Sequence, residues 1–151
     1  KRKEGENDSQ ICKLIRNDMI TELVAYITKN SISLDAKIEP SIYETNNFLV
    51  KKQKEEEYNE YIINKSNEKK GIKLIEYAAF FGSYEIVNYL IREKQELTPS
   101  LWLYAIHGQN AELLHILEDN KVLPEDETYT ECLNESCKSE QFIITRRISK
   151  K

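Results

Sequence analysis

Residues 74–91 read LIEYAAFFGSYEIVNYLI and residues 101–118 read LWLYAIHGQNAELLHILE, and the two stretches superimpose without a gap. Tyr77 and Tyr104, Glu85 and Glu112, and Leu90 and Leu117 each stand 27 positions apart. A fixed period of this length marks stacked units that share a continuous core, not one enzyme-like core. Within the unit the apolar residues divide into two short runs. Leu74, Ile75, Ala78 and Phe81 recur at steps near 3.6 and give one helix an apolar stripe, and Ile86, Val87, Leu90 and Ile91 do the same for a second. Gly82 separates them: without a Cβ it can take the left-handed conformation that closes a helix, and Ser83 then offers a side-chain oxygen to cap the next. In the following copy Gly108 and Asn110 are expected to take these two roles. Each buried Leu, Ile or Val stabilises by roughly 1.5–3 kcal/mol. Four of them on one lone hairpin do not overcome chain entropy, so every unit needs neighbours.

Working outward, a first copy lies at residues 11–27, ICKLIRNDMITELVAYI, where Glu22, Leu23, Val24 and Ile27 match Glu85, Ile86, Val87 and Leu90 at an offset of 63. A weaker fourth copy keeps helical spacing through Cys132, Leu133, Ser136 and Cys137 and on to Ile144 and Ile148. The expectation is one domain over residues 1–151, all-α, with about four helical hairpins at 10–30, 73–97, 98–124 and 128–149. Residues 31–72 form an insertion. In it Pro40 and the turn-forming stretch 44–47 bound an irregular segment, and KKQKEEEYNEYIINK predicts a charged, solvated helix over 51–65. Tyr58, Tyr61 and Ile62 would give that helix an apolar strip for docking on the stack. The insertion reads either as a charged arm for a partner or as a solvated excursion.

Composition narrows the function classes. A charged fraction of 32% beside 40% hydrophobic residues, with 4 Gly and 3 Pro, suits a folded helical protein rather than a disordered one. No apolar run approaches the roughly 20 residues a bilayer requires, and KRKEGENDSQ at the start is not an apolar leader, so a cytoplasmic chain is expected, with the nucleus as the alternative, and not a secreted one. Three cysteines, Cys12, Cys132 and Cys137, are odd in number and fall in helical patterns, which fits reduced thiols. A net charge of −4 gives no basis for general nucleic-acid binding.

AAFFGSYEIVNYLI, residues 78–91, resembles the ankyrin-repeat pattern A-A-x-x-G-H-x-E-V-V-x-L-L-L position by position, with Ser83 where the family usually has His. TPSLWLYA, residues 98–105, is similar to that family's helix-opening T-P-L-H-x-A-A, with two extra residues before the alanine. SIYETNNFL, LIEYAAFFGS, ELTPSLWLYAIHG and EDETYTECLNES together resemble a divergent ankyrin-like domain abundant in protist genomes. The resemblance spans most of residues 10–140 apart from the Lys- and Glu-rich insertion. It implies an ankyrin-like α-solenoid with loops shorter than the family's 33-residue period allows. It further implies that the first helices line a concave inner surface on which the two x positions of A-A-x-x-G often meet a partner. Carried over, those positions are Phe80 and Phe81, His107 and Gly108, and, in the first copy, Asn17 and Asp18. Phe80 would be either an exposed aromatic anchor or a packed ring; Phe81, on the apolar stripe, is expected to pack.

Catalysis has no candidate constellation. His107 and His115 are eight residues apart on different helices, and with Cys132 and Cys137 they lack the C-x-x-C or H-x-x-x-H geometry of a tetrahedral site. The glycines are scattered, so no phosphate loop exists, and the acidic run around Pro124 reads as a solvated turn. Trp102 is expected to wedge between units rather than to serve as a partner hot spot. Arg146, Arg147 and Ser149 resemble the Arg-Arg-x-Ser pattern of basic-directed kinases, making Ser149 the candidate phosphosite. The basic tail, residues 138–151, is expected to be a frayed terminus or an electrostatic contact. The function expected is a non-enzymatic protein-interaction module without cofactor, metal or small-molecule substrate. The alternative is a regulatory repeat module acting on another domain of a longer chain.

Overall fold

The computed structural model describes residues 7–39, 41, 44, 46–63 and 71–138, which are mostly helical. In chain order they form α1 (Gln10–Arg16), α2 (Ile20–Asn30), β1 (Lys37–Ile38), α3 (Asn47–Ile63), β2 (Ile72–Lys73), α4 (Leu74–Phe80), α5 (Tyr84–Arg92), α6 (Leu101–His107), α7 (Ala111–Asp119) and α8 (Thr130–Lys138). Helices pack as the pairs α1 with α2, α4 with α5 and α6 with α7. Between pairs the first helices touch in the order α1, α4, α6, α8, and the second in the order α2, α5, α7.

Burial follows from that arrangement. A first helix has neighbours on several sides, so α4 buries Leu74, Ile75, Tyr77, Ala78, Ala79 and Phe80, nearly its whole length. A second helix buries one stripe only: Ile86, Val87 and Leu90 in α5, Leu113, Leu114 and Leu117 in α7. All of these belong to one contiguous apolar core running from Cys12 to Cys132.

The turns inside the pairs repeat in detail. Asp18 (φ 50°), Gly82 (φ 68°) and Gln109 (φ 54°) occupy the same left-handed position. Gly82 closes its helix as expected, but Gly108 does not: it is right-handed at φ −68°, and Gln109 carries the positive φ. Gly108 is needed for space instead, because its Cα faces backbone of the preceding unit. A Cβ there would lie 2.2 Å from the Ala79 carbonyl oxygen and 3.1 Å from the Gly82 Cα.

Ser83 also does other work than a cap. Its hydroxyl donates to the Ile15 carbonyl of the preceding pair. The amides at the start of α5 are capped from that same pair, Asp18 Oδ2 accepting from Glu85 N–H at 3.2 Å and Oδ1 from Ile86 N–H at 3.0 Å. Successive pairs are thus tied through turn side chains as well as through apolar contact. Asn110 does cap its own helix, accepting from Glu112 N–H at 3.0 Å.

The insertion is closed at its root. β1 pairs antiparallel with β2, Lys37 opposite Lys73 and Ile38 opposite Ile72, so the chain leaves the stack and returns to it at one place. Its helix begins at Asn47, four residues before the expected start, so Asn47 is helical where a turn was expected. Asn46 Oδ1 accepts from the Phe48 and Leu49 N–H groups at 3.0 and 3.3 Å, which places the cap one residue before the helix. The strip expected from Tyr58, Tyr61 and Ile62 lies outside the described side chains.

In the fourth unit Asp126 organises the entry to α8. Its carboxylate accepts from Glu131 N–H at 2.9 Å, from Tyr129 N–H at 3.1 Å and from the Thr128 hydroxyl at 3.1 Å. The Glu131 amide above all, with Thr128 and Tyr129, holds this carboxyl below its usual range. Cys132 and Ser136 are buried and Cys137 is exposed. Ile144, Ile148 and the rest of the unit to residue 149 lie outside the described residues.

Candidate partner-binding face

The row of first helices brings some of the candidate residues together and separates others. Phe80 and Phe81 meet edge to face at 5.0 Å between ring centroids, and Phe80 stacks on the His107 ring at 5.1 Å. His107 is held from the other side by α8, Nε2 lying 2.7 Å from Glu135 Oε1. Phe80 is only 7% exposed and is therefore a packed ring, not a free anchor. Phe81 is half-buried against Tyr77 at 4.8 Å, with the Arg16 guanidinium 5.9 Å from its ring centre.

A ring from outside the repeats covers this group. Phe48, in the first turn of α3, lies 5.8 Å from Phe80, 5.1 Å from Tyr104 edge to face and 4.4 Å from His107. Its neighbour Leu49 is fully buried. Sequence reading missed both. The signal that could have found them is the Asn-Asn pair before Phe48, which starts the helix ahead of the charged run at 51–57. Beside Phe48 opens a cleft of about 700 Å3, whose lining includes Lys51 and Lys52 of α3, Leu103 of α6, and the acids Glu125, Glu131 and Glu135.

The other candidates lie elsewhere or have no side chain to offer. Asn17 ends α1 and donates its amide to the Lys13 carbonyl at 2.8 Å. Asp18 is engaged in capping α5. Gly108 presents backbone to the neighbouring unit. By turn geometry the residues of the first unit that correspond to Phe80 and Phe81 are Arg16 and Asn17, one position before those inferred from the sequence offset. Arg16 Nη1 donates to the Asn7 carbonyl at 2.6 Å and to the Tyr77 hydroxyl at 2.9 Å. Ser149 lies outside the described residues.

Trp102 is 1% exposed, donates from Nε1 to the Val122 carbonyl at 2.8 Å and meets Tyr129 edge to face at 5.2 Å, so it wedges α6 against the segment leading to α8. His115 lies on α7 with its Nδ1 3.9 Å from Glu118 Oε2, whereas His107 ends α6. Among the described residues no three His, Cys, Asp or Glu side chains converge on a metal-sized site, and no helix is long and apolar enough to cross a membrane.

Burial pushes the Cys12 thiol above its ordinary pKa, only partly opposed by Ser9 and Tyr77, and pushes Cys132 up to about 12. Both are protonated and enclosed at neutral pH, the opposite of an activated nucleophile. Treatment of the folded chain with iodoacetamide at about pH 7.5 is expected to label Cys137 alone, and treatment in denaturant to label all three thiols. Peptide mass spectrometry checks this; rapid native labelling of Cys132 would contradict the packing of α8.

No family model matches the chain, and neither a curated protein nor a solved structure matches it significantly.

Proposed function

We propose that this chain is a non-catalytic protein-binding module, an ankyrin-like solenoid whose first helices line an inner face for a polypeptide partner. Three observations support the solenoid: the same left-handed turn recurs in three units, the first and second helices contact their counterparts in two rows, and neighbouring turns approach backbone to backbone. The observation that carries the binding function is the seat of Phe48. An aromatic side chain foreign to the repeats is accommodated on Phe80, Tyr104 and His107, the kind of contact that dominates interface energy. The scaffold holds these residues in place before any partner arrives, which keeps the ordering cost of binding low.

Affinity capture from an extract of the source cells tests the reading, comparing the native chain with Glu125→Lys/Glu131→Lys. Both glutamates are exposed on the cleft, so the fold should survive. At least one protein recovered by the native chain is expected to fall tenfold or more with the variant; identical recoveries would remove the reading. A second reading, a regulatory module acting on another domain of its own polypeptide, is favoured by the fact that Phe48 belongs to the same chain as the pocket it fills. It predicts that the captured partner carries this sequence itself.

A further inference from the structure

We propose that the pocket framed by Phe80, Tyr104 and His107 is the recognition pocket of this face, that Phe48 occupies it as an internal stand-in, and that a partner helix displaces Phe48. That helix would carry an aromatic residue in its first turn and lysine or arginine three or four residues later. The inference rests on the protein-binding reading above and gives the partner its chemistry.

The pocket does not depend on Phe48 for its walls. Phe80 and Tyr104 come from α4 and α6, and Phe80 and His107 stack directly on each other. Glu135 of α8 fixes the outer edge of His107 at 2.7 Å. Three successive units therefore preorganise a slot of aromatic width. The occupant, by contrast, sits in the insertion, whose two ends meet at the β1–β2 bridge. Movement of α3 leaves the helix rows themselves connected. Phe48 is half-buried where Leu49 beside it is fully buried, so the ring lies at the open edge of the seat.

Charge defines the rest of the partner. Glu125, Glu131 and Glu135 line the same cleft as Lys51 and Lys52, which follow Phe48 by three and four positions. The Lys52 ammonium lies 5.8 Å from the Phe48 ring centre, and both lysines also pair with Glu55, at 3.7 and 3.1 Å. An incoming helix with the same spacing of ring and cations would place positive charge among these acids, where attraction favours it. A helix with acidic residues at those positions would be repelled.

The probe is a fluorescein-labelled peptide of residues 46–55, NNFLVKKQKE, titrated by fluorescence anisotropy against the full chain carrying Phe48→Ala. Binding is expected at least tenfold tighter than to the native chain, with loss when the peptide carries Phe48→Ala and at least fivefold weakening when it carries Lys51→Glu/Lys52→Glu. Absence of binding to the variant chain, or equal binding to both chains, overturns the proposal. Should Phe48→Ala not fold, Phe48→Leu replaces it, keeping apolar volume without the aromatic ring. Amide exchange on the unmutated chain is an independent check: residues 48–55 are expected to exchange at least tenfold faster than 75–80 and 102–107, and equal protection would make α3 an integral layer and overturn the proposal. A protein captured by the native chain and lost with Glu125→Lys/Glu131→Lys, alongside a failed peptide titration, removes this proposal alone. Identical recoveries by the native chain and that variant remove the protein-binding reading beneath it.

Discussion

Gly108→Ala is expected to destabilise the chain by about 3 kcal/mol, because the added methyl has nowhere to go. The backbone at Gly108, φ −68° and ψ −14°, suits any residue, so conformational strain is not the cause. The cause is the neighbouring unit: the new Cβ would stand 2.2 Å from the Ala79 carbonyl oxygen, 3.0 Å from the Gly82 nitrogen and 3.1 Å from the Gly82 Cα. All three are main-chain atoms and cannot rotate aside as a side-chain tip would. Relief requires α4 and α6 to separate, which loosens the apolar contact those helices share. For a chain of this size the loss amounts to a fall of roughly 10 °C in melting temperature by circular dichroism. Gln109→Gly is the control. Gln109 bears the left-handed turn at φ 54°, so glycine there relieves strain and should leave stability unchanged or raised by up to about 1 kcal/mol. A cost under about 1 kcal/mol for Gly108→Ala would mean that the two turns do not approach so closely.

The pair of turns also shows what the sequence made legible. The period of 27 between the second and third units could be read directly, because their turns and outer helices have equal length: Gly82 and Lys94, like Gln109 and Lys121, are left-handed positions 12 apart. In the first unit the corresponding residues, Asp18 and Ser31, are 13 apart. The segment between those two positions, which holds α2, therefore carries one extra residue, and no single offset aligns it. Matching Leu23 and Ile27 to Ile86 and Leu90, like Ser31 to Lys94, gives 63, whereas the turn before the helix obeys 64. That is why the sequence offset points to Asn17 and Asp18 where the backbone points to Arg16 and Asn17.

The candidate site was legible only on the repeat side, for a physical reason. Helical periodicity reports which residues of one element share a face. It carries no information on a ring in another element, 32 residues away in the case of Phe48 and Phe80. Phe80 and His107 could be picked out only through the resemblance to A-A-x-x-G, and Phe48 reaches them only through the fold. The two-residue bridge of Lys37–Ile38 with Ile72–Lys73 is likewise too short to leave a periodic signal. Asp18 takes over the capping role expected of Ser83 for a similar reason: a serine before a helix is a sound local cap signal, but a carboxylate from the neighbouring unit takes the amides instead.

Trp102→Ala is expected to have the largest effect of any single substitution, about 5 kcal/mol, which is close to the whole stability of a marginal domain. Truncating a large buried aromatic costs roughly 3–5 kcal/mol in lost transfer energy and cavity. The indole also gives its N–H to the Val122 carbonyl at 2.8 Å, and its removal orphans that acceptor for about 1 kcal/mol more. Tyr129, edge-on at 5.2 Å, loses its partner at the same stroke. Trp102→Phe separates these contributions, since the benzyl ring refills most of the cavity without restoring the N–H; its cost should be about 2 kcal/mol. Guanidinium titrations followed by circular dichroism measure both, because Trp102 is the sole tryptophan and its fluorescence disappears with it. The damage should also be directional. Trp102 and Tyr129 tie α6 to the approach of α8, so amide exchange in 130–138 should accelerate before that in 74–92 does. Equal costs for the two substitutions would instead assign the effect to the hydrogen bond, and uniform acceleration across all helices would show that Trp102 supports the whole stack rather than its last junction.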